Sequence, residues 1–266
     1  MKTNLSYQYY LAGNEYVHGN LAKDKINFER KLPNFTVNDS FINGVAYTEY
    51  LKHPLVTAET KFTLTTTYPG LLTGAGYSHP ALHDVDKNNK NDVSDFQLGF
   101  FFDHTTGMPV IPGSSVKGIL KSVFPKNDFP FKEEKFTYIK EKTAELNNDA
   151  SKLISHDNWD KIFFGERPKR KHIFCDAYIE EIPEGGKIFE DDYITPHTKE
   201  IFKEPNPIRF LKIAPDIKIT FQFVLYDYIF ENGPTLEKKQ IKEVFKKIIL
   251  DFGIGAKRNV GYGNFK

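Results

Sequence analysis

Alternation of apolar and polar residues along the chain predicts a set of β-strands. Residues 59–67 (ETKFTLTTT) alternate and are rich in Thr and Phe, which favours a strand. Residues 216–228 (DIKITFQFVLYDY) carry the clearest strand signal, and residues 172–180 (HIFCDAYIE) alternate in the same way. The run at 96–102 (FQLGFFF) is too apolar for an exposed loop and predicts a further strand.

Other segments show the spacing of amphipathic helices. In residues 235–250 (TLEKKQIKEVFKKIIL) the apolar side chains recur on one side and the lysines on the other. Residues 107–124 (GMPVIPGSSVKGILKSVF) predict a strand end, a tight turn and a helix. Residues 126–160 are charged and helical in pattern, whereas the prolines of residues 192–210 predict a loop.

The order of these elements predicts the architecture. Strand, strand, helix and strand are followed by strand, helix and strand. This order indicates an α+β protein with an antiparallel sheet, built on one or two β-α-β-β-α-β units of the ferredoxin-like (RRM-like) kind. Residues 1–57 are mixed and polar, and we expect them to form an N-terminal extension packed on a main domain at 58–266, which carries long inserted loops.

The chain has almost no net charge. Its formal charge is +1 at neutral pH and its pI is near 7.7, whereas a domain that binds nucleic acid alone is usually more basic. An RNA-binding role would therefore depend on local basic patches, or on partners that share the charge. The 24 Phe and 14 Tyr residues supply a core, and aromatic side chains also provide platforms on which bases stack.

Cysteine usage and hydropathy predict a protein of the cytoplasm. The single cysteine, Cys175, excludes an intrachain disulfide and a zinc site built on several cysteines. Its apolar neighbours indicate a core position rather than a nucleophile. No stretch has the length of a membrane span, and the first residues have no apolar signal-peptide core, so we expect no membrane partner.

The C-terminal end combines glycines with a basic pair. Its candidate anion-binding residues are Gly253, Gly255, Lys257, Arg258, Gly261 and Gly263. A dinucleotide fingerprint is excluded, because that motif lies between a strand and a helix, whereas here the helix comes first. Successive backbone N–H groups at such glycines can form a nest for a phosphate. The alternative is a helix C-cap at Gly253 followed by a tight turn into a last strand.

A second candidate site lies at the turn PGSSVKG. It comprises Gly113, Ser114, Ser115 and Lys117. A lysine in the first turn of a helix is disfavoured by the helix dipole, unless an anion also binds there among backbone N–H groups and hydroxyls. The alternative is a surface helix capped by Ser114 or Ser115, with a solvated lysine. We expect this turn and the C-terminal turn to face the same way and to clasp a polynucleotide backbone.

Two further groups of polar residues have competing interpretations. Arg167, Lys169, Arg170 and Lys171 can grip phosphates or form a solvated turn. A metal site for phosphodiester cleavage could draw on His79, His83, Asp84, Asp86, Asp103 and His104. Most of these lie in a polar loop without a known ligand spacing, so we expect no metal, no cofactor and no catalytic residue.

Several segments together resemble the RAMP superfamily of CRISPR proteins. The two glycine- and lysine-containing segments carry the resemblance, at 107–124 (GMPVIPGSSVKGILKSVF) and 251–265 (DFGIGAKRNVGYGNF). Shorter segments agree with it: GLLTGAG, DYITPHTKEIF and PNPIRFLKI. The resemblance covers the chain from about residue 58 to its end, and Arg258 departs from it where the family usually has Thr. The closer match is to the terminal RAMP subunit of the type III-B (Cmr) complex.

The resemblance implies a RAMP fold and a non-catalytic, RNA-binding subunit of a type III-B CRISPR ribonucleoprotein in antiviral defence. Such a subunit holds the 3′ region of the guide RNA and its target duplex and caps the backbone filament. The implied partners are CRISPR guide RNA, target RNA, the backbone RAMP subunit, the small helical subunit and the other terminal RAMP subunit. The RNA-binding residues that it implies are Gly113, Ser114, Ser115, Lys117, Gly253, Gly255, Lys257, Gly261 and Gly263, to which we add Arg167, Lys169, Arg170 and Arg258.

Two other functions stay open at the level of sequence. A metal-dependent endoribonuclease would use the His and Asp side chains between residues 79 and 104. A scaffold that binds only protein would need none of the basic motifs for nucleic acid.

Overall fold

The computed structural model describes most of the chain beyond its first fifty residues. The described residues are 51–73, 100–126, 130–166, 170–184, 187–194, 208–231 and 233–266. Their α-helices are α1 (Gly113–Val123), α2 (Lys132–Ala144), α3 (Asn148–Leu153), α4 (Trp159–Phe164) and α5 (Lys238–Phe252). Their strands are β1 (Lys61–Thr65), β2 (Phe101–Phe102), β3 (Pro109–Ile111), β4 (Gly165–Glu166), β5 (Arg170–Lys171), β6 (Ile173–Phe174), β7 (Ala177–Glu181), β8 (Phe189–Ile194), β9 (Ile208–Ile213), β10 (Lys218–Val224), β11 (Tyr228–Ile229) and β12 (Thr235–Leu236). Short 3-10 turns occupy Ala58–Thr60 and Arg258–Val260.

An antiparallel sheet forms the centre of the protein, with its strands in the order β1-β10-β7-β3-β2. Phe265 forms an antiparallel bridge with Thr66, just beyond β1, so the C-terminal segment lies outside that strand. The spatial order is therefore C-terminal segment, β1, β10 and β7. With α1 preceding β7 in the chain and α5 following β10, these elements make the predicted β-α-β-β-α-β unit. The α+β, ferredoxin-like fold is confirmed.

One face of the sheet is covered by helices. Side chains alternate along β10, and the ring of Phe223 lies 5.5 Å from that of Phe245 on α5. The apolar side of α5 is fully buried, through Ile241, Val244, Phe245, Ile248 and Ile249. Burial of each such side chain stabilises the fold by about 1.5–3 kcal/mol relative to exposure. The helix predicted at 235–250 is confirmed, although its first residues form β12 instead.

The opposite face of the sheet is polar. Thr63 and Thr220 lie side by side, with their hydroxyl oxygens 2.6 Å apart. Further along β10, Gln222 donates to the carbonyl of Leu51 at 2.7 Å and accepts from the N–H of His53 at 3.2 Å. The last part of the predicted N-terminal extension therefore contacts this face, and the rest of that extension lies outside the described residues.

β8 and β9 form a hairpin where the prolines predict a loop. Their register runs from Phe189 opposite Ile213 to Ile194 opposite Ile208. The predicted loop at 192–210 is therefore wrong at both of its ends. The prolines of this stretch lie between the two strands, so they remove no hydrogen bond from the ladder. The residues that join the strands lie outside the described part of the chain.

Helices α2, α3 and α4 agree with the helical pattern predicted for residues 126–160. Aromatic side chains join α4 to the end of α1, since the ring of Phe124 lies 5.2 Å from Trp159 and 5.0 Å from Phe163. Such ring pairs add to the stabilisation that burial alone provides. Within the described ranges, no helix combines the length and the apolar content that crossing a membrane requires.

Two glycines of α1 stand in contrasting surroundings. A Cβ at Gly113 would lie 1.9 Å from the carbonyl oxygen of Phe174, much closer than any side chain can approach. At Gly118, in the same helix, a Cβ would meet nothing within 4 Å. Close packing of α1 on β6 therefore requires glycine at the first position and not at the second.

We expect Gly113→Ala and Gly118→Ala to change stability in opposite directions. The first variant forces α1 away from β6 and should lower the free energy of unfolding by about 1–3 kcal/mol, as overpacking does. The second adds a better helix former at an open position and should raise it by about 0.5–1 kcal/mol. Chemical denaturation measures both, and equal stabilities for the two variants would contradict the packing of α1 on β6.

His172 is a buried histidine whose two ring nitrogens both make hydrogen bonds. Its Nε2 lies 3.0 Å from the carbonyl oxygen of Ile162, and its Nδ1 accepts from the N–H of Tyr226 at 3.3 Å. Burial lowers the pKa of His172, the Ile162 carbonyl opposes this shift, and the charge of Lys117 adds to it. The net lowering means that the folded protein disfavours the imidazolium.

We expect acid to destabilise the protein through His172. An unfolded histidine has a pKa of about 6.5, so below that pH the unfolded chain binds a proton that the folded chain does not. The stabilising contribution is therefore complete above about pH 6.5 and is lost as the pH falls towards the folded pKa. Urea denaturation between about pH 8 and pH 5 should show a smaller loss of stability in His172→Gln than in the wild type. Parallel curves would contradict a buried neutral ring.

Candidate nucleic-acid interface

The turn PGSSVKG forms the first turn of α1. Pro112 is the N-cap residue, and the exposed side chains of Ser114 and Ser115 make no capping hydrogen bond. The predicted serine cap is wrong, because the helix begins earlier and the carboxylate of Asp176 accepts from the N–H of Gly113 at 2.7 Å. The amide of Gly113 therefore already donates to a carboxylate, at the helix end where the dipole favours negative charge.

Lys117 extends from this turn over two aromatic rings. Its Nζ lies 5.4 Å from the ring centroid of Phe174 and 5.9 Å from that of Phe164. Lys121, one turn further along α1, has its Nζ 5.3 Å from the centroid of Phe164. Cation–π attraction favours both positions. The two lysines therefore project from the same side of α1 towards α4.

These lysines line a cavity of about 340 Å³ between α1, α4 and the β4–β5 hairpin. Its lining residues are Lys117, Lys121, Asp160, Lys161, Phe164, Gly165 and Lys171. Gly165 lies opposite Lys171 across the hairpin. Lys121 forms an ion pair with Asp160, with Nζ 2.9 Å from Oδ1. The fold thus gathers four cationic side chains around one space.

The basic turn predicted from the sequence is described in part. Lys171 lies in β5 and lines the cavity. Arg170 precedes it in the same strand, opposite Glu166 of β4. Arg167 and Lys169 lie outside the described residues, and their role as phosphate contacts stays a prediction.

Two lysines of the cavity were missed by the sequence analysis. Lys121 and Lys161 belong to different helices, and no local motif joins them. Lys121 could have been predicted from the sequence, because its four-residue spacing from Lys117 places both lysines on one face of the helix. Lys161 reaches the cavity only through tertiary packing of α4 on α1.

The glycine-rich tail packs on the protein's own backbone. A Cβ at Gly263 would lie 1.8 Å from the carbonyl oxygen of Ile254, and one at Gly255 would lie 2.1 Å from that of Leu72. Both glycines have positive φ, and the N–H of Gly263 donates to the carbonyl of Gly70 at 2.8 Å. The structure therefore supports the interpretation of a tight turn at these positions, since close approach of backbone requires glycine.

The basic pair of the tail lies at its surface. Lys257 is exposed and has a left-handed backbone conformation. Arg258 is also exposed, and its Nη1 donates to the carbonyl of Phe252 at 3.2 Å, which caps the end of α5. Gly253 ends that helix, whereas Gly261 is more open, with 3.5 Å between a Cβ there and the nearest atom. Both basic side chains of this pair are thus exposed at the surface of the tail.

A hydrogen-bonded acid fastens the tail to the β8–β9 hairpin. Asp192 accepts from the hydroxyl of Tyr262 at 2.6 Å and from Nζ of Lys212 at 2.9 Å. Burial raises the pKa of Asp192, but these hydrogen bonds outweigh burial and hold that pKa below its usual value. Nζ of Lys212 also lies 5.9 Å from the ring of Tyr68, which is 83% exposed. The tail is therefore anchored beside an exposed aromatic ring.

The two glycine- and lysine-containing motifs lie at opposite ends of β10. α1 begins beside Phe174, which pairs with Phe223 near the end of that strand. The tail closes at the other end, where Phe265 bridges Thr66, and Thr66 donates to Ile217, which immediately precedes β10. A seven-residue strand is about 20 Å long. The expectation that the two turns form a single clasp is therefore wrong.

Of the candidate metal ligands, Asp103 and His104 lie within the described residues, and Asp103 has a structural role. Oδ1 of Asp103 accepts from the N–H groups of Thr105 at 3.1 Å and Thr106 at 2.7 Å, which stabilises a turn. Burial, with a contribution from Asp176, raises the pKa of Cys175 to about 11, so its thiol stays protonated near neutral pH. Among the described residues, no three His, Cys, Asp or Glu side chains form a group that could hold a metal ion. The other candidates outside the described residues are His79, His83, Asp84 and Asp86.

Known proteins resemble this chain in sequence. The CRISPR system CMR subunit Cmr6 of Saccharolobus solfataricus is 32% identical over 175 residues, which cover 64% of this chain and 49% of that protein. The CRISPR system Cms endoribonuclease Csm3 of Streptococcus thermophilus is 26% identical over 171 residues, which cover 60% of this chain and 70% of that protein. The chain thus spans about half the length of the first relative.

A solved structure and a family model extend these similarities. A chain in the cryo-EM structure of the type III-B Cmr-beta bound to cognate target RNA aligns with a TM-score of 0.55 and 21% identity, covering 99% of this chain and 90% of that one. At this identity the likeness concerns the fold. The model of the RAMP superfamily matches residues 63–266, well over half of the chain. The chain therefore belongs to the RAMP superfamily.

Proposed function

We propose that this chain is a non-catalytic, RNA-binding subunit of a type III-B CRISPR effector complex. The observation that carries the proposal is the RAMP match over residues 63–266, together with 32% identity to a Cmr6 subunit. The basic surface on α1 and the hairpin after α4 supports an RNA ligand. The chain as a whole carries a charge of +1, so its attraction for RNA is confined to such local surfaces.

The proposed role is to hold the backbone of a guide RNA without reading its bases. In RNA-guided complexes base pairing reads the sequence, while the protein contacts shape and backbone. Lysines suit this task because they act as point charges on phosphates. We place this subunit at the 3′ region of the guide RNA and its target duplex, in the cytoplasm. Its proposed neighbours are the backbone RAMP subunit, the small helical subunit and the other terminal RAMP subunit. It caps the filament that the backbone subunits form.

The proposed RNA contacts fall into two surfaces. The first surrounds Lys117, together with Gly113, Ser114, Ser115, Arg167, Lys169 and Arg170. The second surrounds Lys257 and Arg258, on the tail that Gly253, Gly255, Gly261 and Gly263 shape. Because the surfaces lie at opposite ends of β10, an RNA strand that touches both would have to run along the sheet. The proposed domain that presents them is 58–266, with 1–57 as its extension.

A second candidate function is a metal-dependent endoribonuclease. The observation that favours it is 26% identity to a relative named as an endoribonuclease. Two-metal cleavage needs carboxylates that converge on one point, and Asp103 is engaged in a turn. Incubation of RNA with the purified protein and magnesium or manganese tests this function. RNA that is cut by the wild type and left intact by Asp84→Ala would establish it, and uncut RNA would exclude it.

We expect Lys117→Ala and Lys257→Ala each to weaken binding of guide RNA. Each variant loses one phosphate contact, so the slope of log affinity against log salt should fall by about one. Filter binding over a range of salt concentrations measures both quantities. The matched control is Lys152→Ala, because Lys152 is an exposed lysine of α3 that lies 3.0 Å from Asp149 and outside both surfaces.

Binding that is unchanged in both lysine variants would contradict the assignment of these surfaces. A complex of normal composition that contains no RNA would contradict the RNA-binding function itself and favour a protein scaffold.

A further inference from the structure

The lysine-lined cavity has the electrostatic character of an anion site. Four lysines and one aspartate are among the residues that line a space of about 340 Å³. Apolar and aromatic side chains dominate the pockets that bind uncharged small molecules. Here the lining is cationic, and it is drawn from three separate elements: α1, α4 and β5. Mutual repulsion of these charges decreases when an anion enters the space between them.

The wall of the cavity strengthens this attraction. The buried Phe164 is part of the cavity lining, and two ammonium groups, those of Lys117 and Lys121, lie within 6 Å of the centroid of its ring. An aromatic ring offers no hydrogen bonds to water and screens charge poorly. The effective dielectric constant beside it is therefore lower than in bulk water, so charges there interact more strongly.

Asp160 is the acidic residue among those that line the cavity. Its Oδ1 accepts from Nζ of Lys121 at 2.9 Å, and both side chains remain about half exposed. A solvent-exposed pair of this kind contributes little stability, typically below about 1 kcal/mol. An incoming phosphate oxygen can therefore replace the carboxylate at Lys121 at small energetic cost. Removal of the Asp160 charge should then favour an external anion.

We propose that this cavity binds a phosphate of the RNA backbone, with Lys121, Lys161 and Lys171 acting together with Lys117. The inference rests on the proposed RNA-binding function and adds a phosphate subsite to it. A backbone phosphodiester is favoured over a free phosphate because Lys171, which lines the cavity, directly follows further basic residues in the sequence, at 167–170. The site holds charge without base-reading groups, so its affinity should be independent of sequence.

Charge variants of the full-length protein test the subsite in both directions. Lys161→Ala and Lys171→Ala should each weaken binding of single-stranded oligouridine by roughly threefold to tenfold and lower the salt slope by about one. Asp160→Asn should strengthen binding, because it frees Lys121 and removes a repelling charge. Lys152→Ala is the matched control and should bind like the wild type. Thermal unfolding confirms that each variant is folded.

The outcome for Asp160→Asn separates binding from a structural role. If the cavity serves only stability, Asp160→Asn should raise RNA affinity no more than Asp149→Asn, which removes an equal charge from the exposed Lys152–Asp149 pair of α3. An affinity equal to or below that of Asp149→Asn, or lysine variants that match Lys152→Ala, would overturn the subsite while leaving RNA binding by the wild type intact. No binding of oligouridine by the wild type would overturn both the subsite and the proposed function.

A second arm distinguishes the RNA backbone from free phosphate. Inorganic phosphate is added at constant ionic strength, and its effect on thermal unfolding is compared between the wild type and Lys171→Ala. A backbone site predicts little protection by inorganic phosphate in either protein, together with the loss of RNA affinity. Strong protection of the wild type, abolished in Lys171→Ala while RNA affinity is retained, would assign the cavity to a free anion and contradict the proposal.

Discussion

Antiparallel pairing of β10 with β1 on one side and β7 on the other determines where the described parts of the two candidate RNA-binding surfaces lie. This strand carries alternate side chains into the helix-covered core and onto the polar face. Its end near Phe223 holds β6, against which α1 begins, and its start near Lys218 lies beside the C-terminal segment. The two motifs that look alike in sequence are therefore held apart by the length of one strand. Any RNA-binding account of the protein has to accommodate that separation.

The sequence suggests that the glycines of the two motifs bind an anion, whereas in the structure they allow close packing of the backbone. Gly113 and Gly263 are required because neighbouring carbonyl oxygens leave no room for a Cβ. Replacing these glycines would therefore change the stability of the fold as well as any affinity for RNA. Lysines on the surface are cleaner probes, since Lys117 and Lys257 can lose their charge without disturbing close backbone contacts. The proposed attraction for phosphate depends on these charges, whereas the glycines allow the close backbone packing of the segments that carry them.

The parts that could be predicted from the sequence are those in which a local pattern determines the outcome. The apolar side of α5 and the alternation of β10 both follow from spacing, and the β-α-β-β-α-β order follows from them. Pairing of β8 with β9 escaped prediction, because it joins residues on either side of a proline-rich stretch. The lysine cavity could not be predicted either, because α1, α4 and β5 come together only in the folded protein. The serine cap failed because Asp176, distant in sequence, reaches the amide first.

Crosslinking of the purified effector complex, with crosslinked residues mapped on this chain, tests whether RNA lies on these two surfaces. We expect guide RNA to crosslink to this chain near the α1–α4 cavity, around Lys117 and Lys171, and separately near Lys257 on the tail. A complex in which the RNA crosslinks to other subunits and nowhere on these two surfaces would contradict it.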